Sequence, residues 1–208
     1  MKGLMGLLAS AALAFTVFAE GGALPKTKYP PLNETLFQMY FKKVEPSQLK
    51  GNVFDWVRKE CFLVTAGSPA SYNSMTAGWG GFGVLWGRDV ASIYVRNTRY
   101  TYEFLEKEPY FTLSFYENPE RAELMRVFGR MSGRNTDKIR ESGFTPVKVP
   151  GGGVAYVQAK WILLCRRLAG VELTQDRIPQ EIARKTYGGT RDFHKLYIGE
   201  ILGVWIRK

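Results

Sequence analysis

A chain of 208 residues with 45% hydrophobic and 14% aromatic content is long enough for one domain with a sizeable core, and this composition argues against disorder. Its formal net charge of +10 points toward anionic ligands or surfaces, yet no run of five like charges and no recognition-helix, zinc-finger or RNA-binding signature occurs, so nucleic acid is not an expected partner. Two cysteines and one histidine are too few for a structural zinc site, and no metal is expected.

The N-terminus carries one cation, Lys2, and then an apolar stretch from Leu4 to Phe18 that ends in small residues. It reads as a signal peptide over residues 1–19, with Val17 and Ala19 at the cleavage-site positions and a mature chain starting near Glu20. An uncleaved anchor is the alternative; the mature chain is expected to have no integral span. Residues 20–35 hold three prolines and no hydrophobic period, which is a linker or arm, and residues 36–208 form the expected domain.

Within that domain, Leu36 to Glu60 reads as a strand followed by a short helix near Val53 to Arg58, and Cys61 to Gly67 as a buried strand ended by glycine. The turn Ser68 to Tyr72 leads to a polar segment. Val90 to Val95 and Tyr110 to Tyr116 are further strands, with a helix from Thr98, its expected cap, to Lys107 between them. Asn118-Pro-Glu-Arg starts a second helix that runs to about Phe128. Val154 to Leu168 is β-rich, Asp176 to Lys185 a short helix, and Leu196 to Ile206 a closing strand. This order gives a mainly β chain with helical insertions and argues against a doubly wound parallel sheet. Cys61 and Cys165 read as two buried free thiols, because a bridge needs Cα atoms within about 7 Å and nothing in the order of elements brings them there.

Gly78-Trp-Gly-Gly-Phe-Gly83 has the spacing of a dinucleotide fingerprint, but turn residues and a β run follow it where a helix is required. The glycines instead suit tight bending or close backbone approach. Three polar segments carry the chemistry: Asn73-Ser-Met-Thr-Ala-Gly-Trp79, Arg96-Asn-Thr-Arg-Tyr-Thr-Tyr102 and Ser132-Gly-Arg-Asn-Thr-Asp-Lys138. They supply hydroxyls, amides and the cations Arg96, Arg99, Arg134 and Lys138 beside aromatic rings, the groups that a planar, phosphorylated heterocycle requires. The second segment joins a strand end to a helix start, where free N–H groups and the helix dipole favour a phosphate.

In this order, and with His194-Lys-Leu-Tyr-Ile-Gly-Glu-Ile201 before the last strand, the segments resemble the flavoredoxin branch of the flavin reductase-like family, from about Phe41 to Lys208. Ser74, Asn97 and Asn135 stand where that pattern has Thr, Pro and Asp. The resemblance implies an FMN-binding split β-barrel and a homodimer. It assigns Asn73, Ser74, Met75, Thr76 and Trp79 to the flavin ring, and Arg96, Thr98, Arg99, Tyr100 and Thr101 to the phosphate. Ser132, Arg134, Lys138 and His194 complete the site, with Arg134 and Lys138 adding positive charge that favours the reduced, anionic flavin. No residue is expected to act as acid, base or nucleophile. The implied reaction is electron transfer through flavin, fed by NAD(P)H or by a redox partner protein, in an exported protein. A barrel that keeps the fold without the flavin is the alternative from another class.

Overall fold

The computed structural model describes residues 32–208; the expected signal peptide, its cleavage site and most of the arm lie outside the described residues. The first helix begins inside the stretch read as arm: α1 (Glu34–Tyr40) starts where Asn33 accepts the Thr35 amide at 2.6 Å. It leads into β1 (Phe41–Val44). Next, α2 (Val53–Asp55) continues as a π-helical turn to Glu60. Then β2 (Phe62–Ser68) and β3 (Ser71–Ala77) form a tight hairpin, followed by β4 (Gly80–Leu85) and β5 (Arg88–Arg96).

After α3 (Tyr100–Lys107) and β6 (Tyr110–Phe115), α4 (Glu120–Glu123) runs on as a π-helical turn over Leu124–Gly129. The loop 130–137 leads to α5 (Lys138–Ser142), then β7 (Pro146–Lys148) and β8 (Val154–Tyr156) pair with each other. The chain closes with β9 (Trp161–Glu172), α6 (Gln180–Tyr187) and β10 (His194–Arg207).

The main sheet is antiparallel with strand order β3-β2-β6-β9-β10-β5-β4, and β1 pairs with the far end of β10. Its two end strands, β3 and β4, are consecutive in the chain and joined only by Gly78 and Trp79, yet they do not pair. The barrel is therefore split at this seam. β10 is long enough to reach β5 through residues 194–200 and β1 through 204–207, and it bends at two register shifts.

Both faces of the central strands are covered. Phe62, Val64 and Ala66 of β2 point to one side with Ile93, Phe111 and Leu163, while Leu63 and Leu164 point to the other, against Phe37 and Phe128. Strands buried on both faces are poor in charged residues, which is why β2, β6 and the first half of β9 stand out in the sequence. Two expectations change. The segment 73–79 is mostly the edge strand β3 and not a loop past a strand, and the glycine-rich stretch is the strand β4. A Cβ at Gly80 would lie 2.5 Å from the Ser92 carbonyl oxygen of β5, so close approach to the neighbouring strand explains that glycine.

Both thiols are free. Cys165 is buried inside the sheet, as expected, whereas Cys61 is only partly buried. Burial raises both thiol pKa values, partly offset at Cys61 by Arg121. Among the described residues no helix is long and apolar enough to cross a membrane, and no group of three or more His, Cys, Asp or Glu is placed to hold a metal.

Candidate functional site

β3 lies beside α3 and the Leu124–Gly129 turn, and the space between them opens as a solvent-facing cleft. Asn73 and Met75 line it from β3; Thr98, Arg99, Tyr100 and Thr101 from the start of α3; Ser132 and Lys138 from the third segment. All three polar segments therefore meet at one place. Phe128, Arg130, Met131 and Gly133 complete the lining and were not among the expected residues. Arg130 carries no sequence signal of its own, since it stands outside each segment and reaches the cleft only because the π-helical turn ends at Gly129.

Asn73 is the junction. It is only 7% exposed, and its Nδ2 donates to Thr101 Oγ1 at 2.7 Å. The Gly133 backbone lies against the same side chain: a Cβ there would sit 2.0 Å from Asn73 Oδ1. The alternation of a strand sends its neighbours elsewhere. Ser74 places its hydroxyl between Thr65 Oγ1 and Tyr156 OH, both at 2.8 Å, and so offers the cleft no hydroxyl. The Thr76 hydroxyl donates to the Leu124 carbonyl.

Lys138 begins α5, whose cap is Asp137, accepting the Arg140 amide at 3.1 Å. Its side chain is buried, and its Nζ donates to the Ser74 carbonyl at 2.9 Å and the Phe128 carbonyl at 3.5 Å. Among the described residues it makes no ion pair with a carboxylate. Burial, and then the nearby Arg99, bring its pKa down to about 8. Arg99 and Arg130 also lack ion pairs among the described residues, and both are exposed. Arg99 is the N-cap residue of α3 but makes no side-chain cap bond, and Thr98 does not cap the helix as expected. The cleft thus gathers three cations without a counter-ion at a helix N-terminus.

Arg134 and Arg96 are engaged with protein groups. Arg134 pairs with Glu103, donates to the Thr98 carbonyl at 3.3 Å and lies over the Tyr100 ring at 4.8 Å, clasping the start of α3. Arg96 is the cross-strand neighbour of His194 and donates to Asp192 at 2.7 Å and to the Thr186 carbonyl at 3.1 Å. Trp79, at the seam, is 51% exposed and lies 4.7 Å from the His194 ring. Arg99 acts electrostatically on both Lys138 and His194, so this second cluster adjoins the cleft.

A split antiparallel barrel with a cationic cleft between its edge strand and a helix N-terminus defines the class of flavin-related split-barrel proteins. The chain belongs to the flavin reductase-like domain family, whose model matches residues 57–208. Solved structures share the fold. An FMN-binding domain of a flavin reductases-like enzyme from Shewanella baltica aligns with TM-score 0.56 at 18% identity, over 80% of this chain and 76% of that one. The flavoredoxin of Desulfovibrio vulgaris (Miyazaki F) aligns at 0.57 and 19%, over 78% and 76%. An NADH:FAD oxidoreductase of Streptomyces globisporus aligns at 0.54 and 18%, over 72% and 78%. At these identities the likeness is one of fold. No curated protein matches the sequence.

Proposed function

We propose that the cleft binds FMN and that the protein moves electrons through it. The observation that carries this reading is Lys138, a buried ammonium that, like Arg99 and Arg130, has no carboxylate partner among the described residues. A buried charge is costly unless an anion compensates it, so this arrangement suits an anionic ligand. Thr98 and the Tyr100 and Thr101 amides, which have no turn or cap bond to a backbone carbonyl among the described residues, add donors for a phosphate. Met75, Phe128, Met131 and the Tyr100 ring supply apolar wall for a planar group. The bound flavin would supply hydride acceptance and one-electron transfer, while the chain orients the ring, holds its phosphate and places positive charge nearby.

The electron source is NAD(P)H in a reductase or a partner protein in a carrier. A homodimer is supported by the exposed apolar residues Trp79, Val84 and Trp86 at the seam and on the β4–β5 hairpin. Export rests on the N-terminal sequence.

Titration of the mature chain, Glu20 to Lys208, with FMN and with riboflavin tests the site directly. FMN is expected to bind at least tenfold more tightly, the difference shrinking in high salt, because only FMN carries the phosphate. Equal affinities overturn the phosphate reading. Arg99→Ala is expected to weaken FMN by about tenfold and leave riboflavin unchanged, in line with roughly 1.5 kcal/mol for a charge-assisted hydrogen bond. Bleaching of the retained flavin by NADPH without oxygen favours the reductase; a flavin that stays oxidised favours the carrier.

A further inference from the structure

His194 is the chain's only histidine and its surroundings are built to hold it in one state. Its Nδ1 lies 2.8 Å from the Tyr187 hydroxyl. Tyr187 ends α6 and is buried, with its ring under the Arg96 guanidinium at 5.2 Å and against Phe193 at 4.5 Å. Arg96 in turn fastens the end of α6 to β5 by donating to the Thr186 carbonyl, and Asp192 holds Arg96. Tyr187 is thus fixed from three sides.

A phenol is a much stronger acid than a neutral imidazole N–H, so in this pair the Tyr187 O–H donates and Nδ1 accepts. The ring proton then resides on Nε2. No described residue bonds Nε2, and it is not among the buried polar atoms without a partner, so it faces accessible space. The half-exposed Trp79 ring flanks the imidazole.

We propose that Tyr187, locked by Arg96 and Asp192, is a positioning residue that keeps His194 as the neutral Nε2–H tautomer. That tautomer presents one hydrogen-bond donor beside Trp79 to a planar ligand that carries a carbonyl or amide oxygen. The tautomer stands on the geometry alone; the ligand's role rests on the flavin reading above. The charged groups around the imidazole agree with it. Burial, Arg96 and Arg99 press its pKa down and Asp192 presses it up, with the net result about 4, so the ring is neutral throughout the physiological range.

Because the histidine is single, long-range proton–nitrogen correlation spectra of the nitrogen-15-labelled, flavin-free chain report its tautomer without assignment. The expected result is one Nε2–H form from pH 5.5 to 8 in the native protein and a mixture of both tautomers in Tyr187→Phe. Asp192→Asn, which loosens Arg96 without touching the ring, is expected to shift the population in the same direction by less. An Nδ1–H form or a mixture in the native protein overturns the proposal, whether or not any variant folds. An unchanged tautomer in a folded Tyr187→Phe also overturns it. Flavin affinity measured on the same samples separates the two readings, since failure to bind FMN defeats the flavin assignment and leaves the tautomer result intact.

Discussion

Lys138→Met is expected to raise the melting temperature of the flavin-free protein at pH 7 by about 2–4 °C while weakening FMN binding by roughly 10- to 100-fold. The opposite signs come from one charge. In the native protein the ammonium is buried among carbonyls and an aromatic ring, close to a second cation, and its pKa falls from 10.5 to about 8. That fall corresponds to roughly 3 kcal/mol against the charged native form. Methionine removes this cost but takes the Lys138 donor from the Ser74 and Phe128 carbonyls, an offset of about 1 kcal/mol each, so the net gain is about 1 kcal/mol.

The pH dependence follows from the sign of the shift. Below pH 8 both native and unfolded lysine are charged and the cost is complete. Between pH 8 and 10.5 the unfolded chain binds the proton that the native one has lost, so native stability climbs with pH. The advantage of Lys138→Met should accordingly be largest near pH 7, vanish near pH 9 and reverse by about pH 10, because the cost of the charge falls by about 1.4 kcal/mol per pH unit above pH 8 while the loss of the two bonds stays. Calorimetric melts at pH 7 and pH 10 check this, and a lower melting temperature for the variant at pH 7 would show that the protein already compensates the charge.

The fold was legible where strands buried on both faces are rich in aromatic and β-branched residues, with only small hydroxyl side chains between them, as in Phe62 to Ala66 or Phe111 to Phe115. It was obscure where a strand's side chains do other work. β3 is rich in hydroxyls and amides because one face carries Asn73 to the cleft and the other bonds Thr65, Tyr156 and Leu124. β4 carries three glycines and an exposed Val84, so neither alternation nor β-branching marks it. The composition of the three segments indicated which parts of the chain gather at the cleft, but not which side chains turn toward it. Period-two alternation on β3 separates Asn73 and Met75 from Ser74. Arg96 resembles Arg99 in sequence, yet it stands within the β5–β10 ladder opposite His194, where Asp192 meets it. Only the spatial position of a carboxylate 96 residues away distinguishes the two arginines.

Gly133→Ala is expected to lower the stability of the protein by about 1–3 kcal/mol and its FMN affinity by more than tenfold, although the added methyl group removes no cation from the proposed phosphate site. The new Cβ would lie 2.0 Å from Asn73 Oδ1 and 3.2 Å from the Tyr100 ring, so Asn73 must move. Moving it breaks the 2.7 Å bond to Thr101, whose hydroxyl is fully buried, and frees the loop 130–137 from β3 and α3 together. The three polar segments then keep their residues but lose the register that brings Arg99, Arg130 and Lys138 to one cleft. Asn73→Ala alone is expected to cost less, because it leaves space where Gly133→Ala creates a collision. In the double variant the smaller side chain at position 73 makes room for the methyl group, so the two costs should fall short of additivity by at least 1 kcal/mol in a double-mutant cycle of unfolding free energies. Strict additivity would mean that Gly133 is required by some contact other than Asn73, and that the coupling between the third segment and the edge strand runs instead through the Lys138 bonds to Ser74 and Phe128.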